Sequence, residues 1–268
     1  MRKYFWWAIC GLMAIVSVTF MSWKPANTKS LVTSSAKKTE ITKVSSKELF
    51  GQYVNNIYNT AQLQLTGMDM AVFQKAVTGY FNLKIAHKLP ENSNVITVVD
   101  FNKSSREKRM WIIDVVNKKL ILNTWVSHGQ GSGNDMATAF SNNANSHQSS
   151  LGFYVTDDIY FGKHGRSLRL DGMDAGFNSA ARSRAIVVHA ADYVCQNTIN
   201  QLGRLGRSHG CPAVSPEVSD LVINTIKGKT MLFITGNNAS YASKYLNETT
   251  AAEFLYQDSV QATTLAKI

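Results

Sequence analysis

Between residues 94 and 236 the chain breaks into short apolar runs separated by polar turns. Runs of that length suit strands better than helices, and this limits the possible folds more than any other feature. Strands are predicted at 95–100, 110–116, 120–127, 152–156, 167–170, 185–189 and 230–235. Asn117-Lys118-Lys119 reads as a tight hairpin turn between the second and third. One helix interrupts the series: Ser215 caps it, Pro216 takes its first position and Gly228 ends it. There is no alternation of strand and helix, so a doubly wound parallel sheet is not expected. The expected fold is mainly β, a sandwich or barrel with one packed helix.

The stretch before residue 94 has a different texture. Met1-Arg2-Lys3 is a short positive start, residues 4–23 carry no charge, and Lys24 closes the run. That is the pattern of a signal-anchor or signal peptide over residues 1–24. Trp6, Trp7 and Trp23 suit membrane interfaces. No small-x-small cleavage site precedes Lys24, which favours an uncleaved anchor, with membrane contact through residues 4–23 and the remainder outside the cytoplasm. Residues 25–44, rich in Thr, Ser and Lys, read as a flexible spacer. Ser45-x-x-Glu48 forms a capping box, and Leu49, Tyr53, Ile57 and Ala61 follow at helical spacing. A second helix is expected from Asp69 towards His87. Residues 45–90 are therefore a small helical N-terminal region, 94–236 the main body and 237–268 a C-terminal tail with some helical pattern at 251–256.

The formal charge of +10 on 268 residues suits an anionic surrounding, or simply a basic surface. No basic run exceeds two residues and no aromatic–basic stripe is present, so a nucleic-acid partner is not expected. Of the three cysteines, Cys10 lies in the N-terminal apolar run, leaving Cys195 and Cys211 for the folded body. Their contexts argue against a disulfide between them.

The chemistry concentrates in Gly206-Arg207-Ser208-His209-Gly210-Cys211-Pro212-Ala213-Val214. A thiol acts as a nucleophile when a base or a positive field makes it a thiolate. Ala185-Ile186-Val187-Val188-His189 is a buried-type strand ending on a histidine, so His189 is the expected base for Cys211. His209, two residues from Cys211, competes for that role or braces the loop. Gly210 frees the backbone so that amides can hold an oxyanion. Residues 128–150 form a long Gly-, Ser- and Asn-rich loop, suspect as functional. His128 and His147 in it read as polar loop residues. His164-Gly165-Arg166-Ser167-Leu168-Arg169 could bind a carboxylate or be a solvated hairpin.

Val187-Val188-His189 followed by Gly206–Val214 resembles the catalytic signature of murein L,D-transpeptidases, over roughly residues 94–236. Val126-Ser127-His128-Gly129 and Leu151-Gly152-Phe153-Tyr154 resemble the family's landmarks on either side of the long loop. The resemblance implies a β-rich catalytic fold and cysteine acyl transfer on peptidoglycan stem peptides, in the periplasm or cell envelope, without a cofactor. It makes Cys211 the nucleophile, His189 its base, and Ser208, His209 and Gly210 the residues that shape the loop and oxyanion hole. Pro212 and Ala213 stand where the commoner pattern has a hydrophobic residue and an arginine, which resembles a divergent branch of the family. Contact with a substrate carboxylate must then come from elsewhere, with Arg207, Arg166 and Arg169 as candidates. The competing readings are a cysteine peptidase or amidase on another polymer, a wall-binding module, and a zinc site built from His189, Cys195, His209 and Cys211.

Overall fold

A computed structural model describes residues 45–265, with side chains described to Ser259. The expected signal segment and spacer lie outside the described residues. Two helices come first. α1 (Ser46–Thr60) starts where Ser45 accepts a hydrogen bond from the Glu48 amide at 3.2 Å. α2 (Met70–Ile85) starts where Asp69 accepts one from Val72 at 3.0 Å. Each cap satisfies an amide that the helix itself cannot.

Eight strands follow: β1 (Val95–Asp100), β2 (Met110–Asp114), β3 (Lys119–Thr124), β4 (Gly152–Gly162), β5 (Gly165–Gly172), β6 (Val187–Ala190), β7 (Ala213–Val214) and β8 (Met231–Thr235). They form one sheet in the order β3-β2-β1-β8-β4-β5-β6-β7. Only the β1–β8 and β6–β7 pairs are parallel. Just past β3, Ser127 bridges Ala213 of β7, which brings the two ends of the sheet together into a barrel-like form. Three further helices complete the fold: α3 (Gln196–Leu202), α4 (Pro216–Ile226) and α5 (Glu248–Leu265).

The two-residue period of the strands sorts their side chains between two cores. Ile96, Val98, Trp111, Ile113, Phe153, Val155, Met231 and Phe233 face α1, α2 and α5. Val99, Met110, Ile112, Tyr154, Leu232 and Ile234 face the other way, against Val222, Ile223 and Ile226 of α4. Packing under α2 is close. A Cβ on Gly79 would stand 2.0 Å from the Phe153 ring, so only glycine lets that helix lie on β4.

The mainly β fold expected from the strand texture is the one observed, with more helix around it than the single packed helix expected. α4 is the helix read from Ser215, Pro216 and Gly228. Residues 237–268 are not merely a tail, because α5 packs Ala251, Ala252 and Leu255 into the same core as α1 and α2. Among the described residues no helix is long and apolar enough to cross a membrane.

Candidate active site

The thiol loop is tied down from both sides. Ser208 is buried; its amide donates to His128 O at 3.0 Å, and its carbonyl accepts from Gln130 N at 2.8 Å. Its hydroxyl donates to Cys211 O at 2.7 Å and accepts from Gly210 N at 3.0 Å. Ser208 thus staples the turn that presents Cys211. Gly210 has φ 120°, and a Cβ there would fall 2.8 Å from Gln148 O. The long loop covers this turn. Ser149 Oγ accepts from Gly129 N and donates to Gly210 O at 3.2 Å.

Cys211 is partly buried and free, as is Cys195. Its thiol approaches Ala185 O at 3.6 Å, just before β6. Burial pushes the thiol above its ordinary pKa, opposed by the Val187 amide and by the Arg184 guanidinium. His189 lies two residues beyond Val187 on the same strand, 2% exposed. Its Nδ1 is 2.7 Å from Ala190 O. A carbonyl only accepts, so Nδ1 carries the proton and Nε2 keeps the lone pair of the neutral ring. Burial pulls the His189 pKa below its ordinary value, and the neighbouring His164 lowers it further. The two rings stack at 4.3 Å between centroids. Burial thus favours the uncharged form of each group, the thiol of Cys211 and the imidazole of His189.

The other residues singled out in the sequence are distributed around this centre. His209 is exposed and stacks on His147, with centroids 4.2 Å apart and planes 8° from parallel. Arg207 holds the long loop through Gly133 O at 2.8 Å and Asn134 Oδ1 at 3.1 Å. Arg166 reaches α4, where it binds Asp220 and Asn224, each at 2.6 Å. Arg169 lies over the Tyr160 ring at 4.4 Å. Register places Arg169 opposite Val187 and Ser167 opposite His189, so Arg169 shares the sheet face of His189. Among the described residues no three His, Cys, Asp or Glu side chains come together in a metal-binding group, so the four-ligand zinc set is not assembled.

Three neighbours of the thiol were given no part in the site by the sequence, and one of them, Ala185, lies in a turn and not in the strand expected from it. Arg184 and Ala185 precede β6, and Ala185 has φ 55°. Tyr193 packs so closely under Gly206 that a Cβ there would lie 2.4 Å from Tyr193 Cβ. The signal available for these was nearness in sequence to His189, which does not say which side chains turn towards Cys211.

No curated protein matches the chain in sequence. Among solved structures, an L,D-transpeptidase from Mycobacterium smegmatis is 12% identical, with a TM-score of 0.34 over 54% of this chain and 59% of that one. The match thus spans less than two thirds of that protein's length. An L,D-transpeptidase from Stackebrandtia nassauensis is 11% identical, with a TM-score of 0.35 over 71% and 94% of the two chains. L,D-transpeptidase 3 from Mycobacterium tuberculosis is 11% identical, with a TM-score of 0.35 over 54% and 62%. The family model of the L,D-transpeptidase catalytic domain matches residues 64–235, well over half of the chain, and the chain belongs to that family.

Proposed function

We propose that this protein is a cysteine acyltransferase acting on peptidoglycan stem peptides, through a thioester on Cys211. The observations that support the reading are a thiol held against Ala185 and Val187 at the start of β6, and on the same strand an imidazole whose Ala190 contact leaves Nε2 free to accept a proton. Family membership supports peptidoglycan as the polymer.

In this mechanism His189 Nε2 takes the thiol proton as sulfur attacks the carbonyl of the meso-diaminopimelate–D-Ala bond of a tetrapeptide stem. The Gly210 amide is occupied by Ser208 Oγ, so the Cys211 amide is the donor the loop offers to the oxyanion. The proton on Nε2 then passes to the amine of the leaving D-Ala, and a thioester remains. An amine of a second stem resolves it to a 3-3 cross-link; water resolves it to a shortened stem. Burial favours the uncharged form of both groups, which suits a sequence in which the thiol proton leaves as substrate is engaged.

Residues 94–236 carry the chemistry in this reading, and the helices before and after pack on the sheet face that carries Phe153 and Phe233. Residues 4–23 would take the enzyme to the cell envelope and anchor it there if uncut. The test is intact and peptide mass spectrometry after incubation with a tetrapeptide stem or a carbapenem. An acyl adduct is expected on Cys211, absent in a folded Cys211→Ala variant. Acylation of Cys195 instead, or full turnover by Cys211→Ala, overturns the reading.

A further inference from the structure

Arg184 closes the turn before β6 and is half-buried. Its Nη1 donates to Ser141 O at 2.7 Å and Ser150 Oγ at 3.4 Å. Its Nη2 donates to Gln148 O at 2.7 Å and Ser146 Oγ at 3.2 Å. All four acceptors are neutral, and all belong to the 141–150 end of the long loop. No ion pair among the described residues includes Arg184, unlike Arg166, which is paired with Asp220, and Arg182, which is paired with Asp157 and Asp171. A guanidinium is not deprotonated at physiological pH, so its full charge stands here against dipoles alone.

That charge lies against the thiol loop. A Cβ built on Gly210, the residue before Cys211, would be 3.3 Å from Arg184 Nη2. The next residue in the chain, Ala185, supplies the carbonyl that the thiol contacts. Arg207 and Arg169 are held elsewhere, by the 130–134 backbone and by the Tyr160 ring. Losing the thiol proton would place an anion among buried groups. A nearby uncompensated cation offsets the cost of that step, and a guanidinium braced by four acceptors does so without reorganising.

We propose that Arg184 is a positioning residue that stabilises the Cys211 thiolate, while its four hydrogen bonds hold the 141–150 segment over the thiol loop. This rests on the reading of Cys211 as the nucleophile. The sequence motif alone would not assign it, because the arginine lies 27 residues before the cysteine and its partners 34–43 residues before itself.

The experiment is the pH dependence of alkylation by iodoacetamide, read site by site at Cys211 by peptide mass spectrometry on the full chain. Arg184→Gln should react about tenfold more slowly at neutral pH, with its midpoint about one unit higher, and Arg184→Lys should recover most of the difference. An unchanged midpoint in a folded Arg184→Gln variant overturns the proposal. A second measurement needs no variant. The positive field should favour anionic iodoacetate over neutral iodoacetamide at Cys211, relative to the same ratio for N-acetylcysteine. A ratio no greater than that of N-acetylcysteine overturns it as well. If Cys211 fails to alkylate at any pH, the nucleophile reading falls and this proposal falls with it. Normal alkylation without dependence on Arg184 removes this proposal alone.

Discussion

The Cys211 thiol meets the carbonyl oxygen of Ala185 at 3.6 Å, and Ala185 holds that carbonyl with its backbone at φ 55°. Left-handed backbone costs an alanine about 1 kcal/mol, because Cβ crowds its own carbonyl. The turn therefore stores a little strain at the point where β6 begins and the thiol rests. Such strain persists when the surroundings over-determine it, and here Arg182 O and Ala180 O take the amides of Ala185 and Arg184 at 3.1 and 2.8 Å.

Substitution at Ala185 should separate strain from chemistry. Glycine relieves the conformational cost but adds freedom to the unfolded chain, two effects of about equal size and opposite sign. Ala185→Gly should thus stay within about 0.5 kcal/mol of the parent in urea unfolding. Ala185→Val, with a β-branched side chain in the left-handed region, should lose about 2 kcal/mol. Parental stability in the valine variant would show that the turn is not strained.

The stack of His164 on His189 leads to a pH prediction. Burial is the main cause that keeps the His189 imidazole below its ordinary pKa, and His164 adds to it. His164→Ala removes a like-charged neighbour and opens the ring to water, and both changes raise the His189 pKa. A base works only when neutral, so the acid limb of acyl transfer should move to higher pH, while the rate above pH 8 changes little. An NMR titration of His189 in both proteins reads the shift directly; a downward move or none would refute the coupling.

Much of this arrangement could be read from the chain, for identifiable reasons. The strands alternate cleanly between two cores, so a period of two exposed them. Ser45 and Asp69 announce helix starts by caps that form, and Ser215-Pro216 marks a third start although the Ser215 hydroxyl donates to Glu217 instead of capping. α3 escaped because it buries no residue and leaves no apolar period to see. α5 was legible only as a helical pattern at 251–256, because Ala251 and Ala252, whose small side chains give a weak amphipathic signal, supply part of its buried face. Cys211 and His189 stood out as candidates because both lie in distinctive local sequence. The surroundings of Cys211 were not legible, because Arg184 is held by a loop some 40 residues away, whereas Arg166, which looked available, is taken by α4.

Two glycines should respond in opposite directions to the same change. Gly129 carries the long loop across the thiol turn, and a Cβ there would sit 2.3 Å from His147 O and 2.9 Å from the Gly210 backbone. Backbone cannot yield cheaply, so Gly129→Ala should cost about 2 kcal/mol or more and lower Cys211 acylation. Gly51 lies inside α1 with nothing within 4 Å of its Cβ position. Gly51→Ala should stabilise by about 0.5–1 kcal/mol through helix propensity and leave acylation untouched. Thermal melts of the two variants check both signs, and a destabilised Gly51→Ala would contradict the open helix surface.

The last prediction concerns acid. Arg109 is fully buried, bound to Val126 O and Lys103 O, and its Nη2 lies 2.8 Å from His128 Nδ1. A guanidinium only donates, so Nδ1 must accept and His128 must be neutral. Burial first, and Arg109 next, pull the His128 pKa down to about 4. An unfolded histidine titrates near 6.5, so between those values the unfolded chain binds a proton that the native one refuses. Stability from this site is complete above about pH 6.5 and is lost as pH falls towards 4, by about 3 kcal/mol in all. His128→Gln keeps an acceptor for Arg109 but cannot titrate. Urea unfolding at pH 7 and pH 5 should show the parent losing about 2 kcal/mol more than this variant. Because His128 O also accepts from Ser208 N, the thiol loop should loosen over the same range, seen as faster amide exchange at Ser208 in the parent. Equal pH slopes in parent and variant would mean that His128 does not report acid to the loop.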